Sequence, residues 1–152
     1  MRINDTIEKN ILNQLDKLHI SFKKLELDDE DINYYLDIDL KYFVEELKNV
    51  GKVGLFMVVN SERQTVNMIC NTLYKECEKD SLIKIINVSN AVNNIITYGK
   101  LFVDSKGRVV YQNAVQLCEE TFDVEKQVKA LVMAVLVFYQ EMKKIEGKNE
   151  KN

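Results

Sequence analysis

From Phe122 to Ile145 apolar residues return at three- and four-residue steps: Val124, Val128, Leu131, Val135, Phe138, Met142 and Ile145. That spacing puts them on one face of a helix. Thr121 or Asp123 can cap its start, and Lys143 and Lys144 lie where a helix C-terminus favours positive charge. The back of the helix is apolar too. Ala130, Met133, Leu136 and Val137 interrupt the polar side set by Lys126, Lys129 and Gln140. A helix apolar nearly all round needs two covers, its own sheet and something else. The second cover is either another segment of this chain, such as the first helix, or a partner. The pattern favours self-association or partner docking through Ala130, Met133, Leu136 and Val137.

The remaining elements follow from the same two periods. Asp5–His19 is a first helix, with Asp5 and Glu8 at capping-box spacing and Ile7, Ile11, Leu15, Leu18 and Phe22 in one stripe. Lys23–Asn33, rich in charge, reads as an exposed connection. Tyr34, Leu36, Ile38 and Leu40 alternate with Asp37, Asp39 and Lys41, as in a half-buried strand. Residues 41–50 fit either a strand or a helical turn. Val53–Val59 and Thr65–Leu73 are strands of a meander, turned at Asn60–Arg63. Lys79–Ile95 is a second helix, capped by Asp80 or Ser81, with Leu82, Ile85, Ile86, Val92 and Ile96 on one face. Gly99–Asp104 and Arg108–Leu117 form a hairpin through Ser105-Lys106-Gly107, where glycine is free to take positive φ. The order α-β-β-β-α-β-β-α predicts an α+β fold, an antiparallel sheet with helices packed on it. Residues 1–147 form a single domain and 148–152 a polar tail expected to be disordered.

Asn90-x-x-Asn93, then Tyr98-Gly99-Lys100-Leu101-Phe102, then Gly107-Arg108-Val109-Val110-Tyr111 resembles the YbjN family of bacterial proteins. The resemblance covers about Asn87–Ile145. It implies a fold like the type III secretion chaperones, commonly dimeric, in a family described as sensory or regulatory with no established catalytic residues. Within the motif, Asn90 and Asn93 suit a structural role, since an Asn near a helix end can hydrogen-bond to backbone in the following turn; the alternative is contact with a ligand or peptide. Tyr98-Gly99 belongs to the same motif, and Gly99 suggests close backbone approach or a special φ.

Composition narrows the function classes. The 152 residues suffice for one sizeable core, and 46% hydrophobic with 30% charged residues is ordinary for a globular protein. Net charge is −3 with Lys and Arg dispersed, which argues against nucleic acid. No secretory signal or membrane span is expected, because the longest apolar run, Ala130–Tyr139, falls short of the ~20 residues a span needs. Cys70, Cys77 and Cys118 are an odd set without a CxxC pair, which suits reduced thiols in a cytoplasm. The absence of Pro and the Lys, Asn and Ile usage suggest an AT-rich bacterial genome.

Catalytic and metal chemistry find little to stand on. His19 is the only histidine and reads as a half-buried packing residue of the first helix. Cys70, Cys77, Cys118 and His19 match no zinc spacing. Asp29, Asp31 and Asn33 begin like a calcium loop, but Tyr34 stands where the loop needs Gly and Leu40 where it needs Glu. Gly51-x-x-Gly54 is too sparse for a phosphate cradle. No cofactor is expected. The reading is a non-enzymatic, homodimeric, cytoplasmic module that binds a protein or peptide client by sheet edge and helix surface. The alternative is a small-molecule sensory domain with a pocket between sheet and helices.

Overall fold

The structure is a computed structural model and describes residues 3–25, 32–60, 62–74, 81–117 and 122–150. Three helices, α1 (Ile3–Lys17), α2 (Leu82–Asn93) and α3 (Val124–Glu150), accompany six strands. The strands are β1 (Ser21–Leu25), β2 (Ile32–Asp39), β3 (Lys52–Asn60), β4 (Thr65–Tyr74), β5 (Lys100–Val103) and β6 (Val109–Gln116). They form one antiparallel sheet in the order β1-β2-β3-β4-β6-β5.

The α+β class and the single sheet agree with the sequence reading, while the element order gains a strand. Ser21–Leu25, expected as the end of a helical stripe and a connection, pairs along β2 from Ser21 opposite Asp37 to Leu25 opposite Asn33. Residues 41–50 are neither strand nor α-helix. They form two 3₁₀ turns, Leu40–Tyr42 and Glu45–Leu47, which bury Leu40 and Leu47. The expected tail at 148–152 begins inside α3, whose backbone stays helical to Glu150.

One core lies between the sheet and the helices. The even positions of β2 (Tyr34, Leu36, Ile38) and the odd positions of β3 (Val53, Leu55, Met57, Val59) face it, as period-2 alternation requires. From α1 come Ile7, Ile11 and Leu15, and from α3 Val124, Val128, Leu131, Val135, Phe138 and Met142. The α2 stripe is rotated from the expected one. Ile85, Val88, Ser89 and Val92 are buried, while Leu82 and Ile86 are exposed. The helix carries two overlapping apolar phases, and packing against β5 and α3 selects the second.

Side-chain amides tie the elements together. The Gln14 amide donates to the Phe122 carbonyl and accepts from the Val124 N–H at 2.7 Å, which joins α1 to an unsatisfied donor in the first turn of α3. At the β1 edge of the sheet, the Glu8 carboxylate accepts from Lys24 at 2.8 Å and Tyr34 at 2.6 Å, pinning α1 to β1 and β2. Those bonds, the Lys24 one first, hold the Glu8 carboxyl below its ordinary range. A depressed folded pKa contributes stability that is present above the unfolded value and lost as pH falls through the folded one. Because the pair is partly exposed, Glu8→Gln should cost about 0.5–1 kcal/mol near neutrality. Urea melts of both proteins from pH 6 to 2.5 should show that gap closing in acid; a constant gap would assign the loss elsewhere.

Candidate protein-interaction surface

Of the nine large apolar side chains exposed among the described residues, seven lie between Leu82 and Met133. They are Leu82, Ile83 and Ile86 on α2, Ile95 and Tyr98 after it, Phe102 on β5 and Met133 on α3. The elements that carry them adjoin, since α2 packs on both β5 and α3. Phe102 is outward because β5 alternates, with Leu101 turned to the core. Tyr98 lies under Lys126, whose ammonium is 5.0 Å from the ring centroid. A cleft of about 230 Å³ between Ile96, Thr97 and Tyr98 on one side and Ala130 and Met133 on the other completes this corner.

The four residues expected as an interface on α3 do not form one patch. Met133 is 52% exposed and Ala130 half-buried, but Leu136 packs against the core and Val137 is 8% exposed. The second cover that α3 needs is supplied within the chain, in part by α2. The surface is therefore assembled from three elements instead of one helix. Ile83 and Ile95, which fit no stripe, and Phe102, out of phase with Leu101, were the sequence signals for it.

The motif residues hold the edge of the sheet. Asn93 donates to the Leu101 carbonyl at 2.8 Å and accepts from the Leu101 N–H at 2.7 Å, so its amide occupies the place of a neighbouring strand's backbone. Asn90, one turn earlier, is exposed beside a groove of about 370 Å³ between α2 and β5. Gly99 has φ of 74°, and a side chain there would meet the buried ring of Tyr111. Burial pushes the Tyr111 phenol up to about 12. Past the end of β5, Asp104 accepts from the Lys106 and Arg108 N–H groups and from Arg108 Nε, and its carboxyl is lowered chiefly by the Arg108 backbone bond. That clamp sets the Ser105-Lys106-Gly107 turn, with Gly107 at φ 76°.

His19 is not a packing residue of α1. It sits in the turn after the helix, exposed, at φ 54°. It borders a cleft of about 520 Å³ with Ser21, Asp37, Asp39, Tyr42 and Lys52, in which Lys52 pairs with Asp37 at 3.8 Å. Cys70 is buried on β4 and its thiol is pushed up by burial, whereas Cys77, Cys118, Asp29 and Asp31 lie outside the described residues. Among the described residues no three His, Cys, Asp or Glu side chains converge on a metal-sized site. No helix among them is long and apolar enough to cross a membrane. Comparison with family models, curated proteins and solved structures finds no match for this chain.

Proposed function

We propose that this chain is a non-enzymatic protein-binding module of the YbjN type, working as a homodimer in a bacterial cytoplasm with a fold of the type III secretion chaperone kind. The concentration of seven exposed large apolar side chains on α2, the connection that follows it, β5 and the facing turn of α3 carries the reading. Singly exposed apolar residues are ordinary on a protein surface, but a grouped set of this size marks an interaction site. The shifted ionisable groups serve the fold: Glu8 and Tyr34 join α1 to the sheet, Asp104 sets a turn and Cys70 is sealed in the core. Self-association uses the corner of Met133, Ala130, Ile95 and Tyr98, and a client uses the surface beyond it.

Light scattering over a range of concentrations tests the dimer. Wild type should have twice the 17.7 kDa chain mass, and Met133→Asp should return it to the single-chain value with its circular dichroism unchanged. Met133 is half exposed, so the substitution leaves the core intact. A wild type monomeric throughout would end the homodimer claim. The second reading, a small-molecule sensory domain, rests on the 520 Å³ cleft beside His19, which lies at the α1–β1 turn. A metabolite that raises the melting temperature of wild type but not of Asp37→Ala would favour it.

A further inference from the structure

Asn93 and Asn90 stand one helical turn apart, yet only Asn93 is tied to β5. The reason is geometric. Three helical residues advance about 4.5 Å while two strand residues advance about 6.7 Å, so α2 and β5 fall out of step. Antiparallel alternation turns the N–H and C=O of Val103 outward, as it does those of Leu101, and β5 ends the sheet. Asn93 satisfies Leu101; Val103 faces the groove that Asn90 borders. On the groove's inner side lies the Ser89 hydroxyl, 2% exposed and without a hydrogen-bond partner among the described residues. Leu82, Ile86 and Phe102 form apolar walls. Lys100, the first residue of β5, and Lys106, in the turn that follows it, have no ion-pair partner among the described residues, while Asp104, which also lines the groove, is held by Arg108.

We infer that the α2–β5 groove binds an extended peptide segment with an apolar centre and acidic flanks, its backbone pairing with Val103 and Asn90. This deepens the binding-module reading and rests on it. Amide-type donors and acceptors set between apolar walls match a peptide group, which a lipid acyl chain cannot supply. The unpaired lysines select acidic flanks, and they disfavour a second copy that would bring the same basic edge against itself.

The test is an NMR titration of the full ¹⁵N-labelled chain with two end-blocked peptides, Glu-Glu-Leu-Val-Leu-Glu-Glu and its counterpart with Lys flanks. The acidic peptide should shift the Val103 amide and the Asn90 side-chain amide, while the Leu101 amide, already held by Asn93, moves little. Asn90→Leu should weaken binding about 3- to 10-fold. The Lys-flanked peptide should bind about 10-fold more weakly at low salt, with the difference shrinking as salt rises. Phe102→Ser offers an independent loss of the apolar wall. Unmoved Val103 and Asn90 signals overturn the site, and equal affinity for both flanks overturns the charge assignment. The same shifts produced by phosphatidylglycerol vesicles, or by concentrating the protein alone, overturn the peptide as occupant. A dimer by light scattering with a silent groove removes this site and leaves the module reading standing; a monomer with a responsive groove keeps the site and the binding reading and removes only the homodimer.

Discussion

Gly99→Val should cost about 2–5 kcal/mol of stability, from positive φ and overpacking together. At φ 74° a β-branched residue is strained before any contact is made. A Cβ built there stands 2.5 Å from Tyr111 Cε2 and 2.7 Å from its Cζ and Oη. Tyr111 cannot swing aside, because its ring is 1% exposed within the core. Gly147, helical and with nothing within 4 Å, is the control, and Gly147→Ala should be neutral or stabilise by up to about 1 kcal/mol. Tyr111→Leu in the Gly99→Ala background should recover part of the loss, since it removes the ring that the new methyl group strikes. Urea midpoints decide the matter. A Gly99→Val protein as stable as wild type would mean that the Tyr111 ring does not lie under this turn.

The same physics separates what the sequence revealed from what it hid. The α3 stripe and the β2–β4 meander were legible because six of the seven predicted α3 residues are buried and one face of each strand is apolar. Hydrophobic period is a burial signal. β1 gave none: Ser21–Lys24 are exposed, Phe22 included, and the strand exists through its backbone pairing with β2. The back of α3 around Leu136 and Val137 was apolar for a reason internal to the chain, which α2 explains in part, while Met133 stays exposed. Periodicity shows that a face is covered, and it is silent on what covers it. Asn93 stood out as a motif, but its partner eight residues away is a backbone group, which no side-chain pattern announces. The α2–β5 groove lies further still from the sequence, because it comes from the mismatch between helix rise and strand rise.

That mismatch gives the two asparagines separable roles, and Asn93→Leu is the sharper test. Removing its amide deletes two hydrogen bonds, each contributing about 0.5–1.5 kcal/mol, and strands the N–H and C=O of Leu101. Leu101 is 3% exposed, so water reaches those groups poorly and the expected loss is about 2–3 kcal/mol. Asn90→Leu touches an exposed amide and should change stability by less than about 0.5 kcal/mol. Hydrogen exchange locates the effect: the Leu101 amide should lose protection in Asn93→Leu and keep it in Asn90→Leu. There is also a consequence beyond stability. β5 is an edge strand, and Asn93 fills the position from which a foreign strand would pair with it. Without that amide, Leu101 and Val103 present a continuous unpaired edge beside Phe102, and the variant should aggregate at concentrations where wild type and Asn90→Leu stay in solution. Equal losses in the two variants would mean that the amides act alike and that the edge is guarded by something other than Asn93.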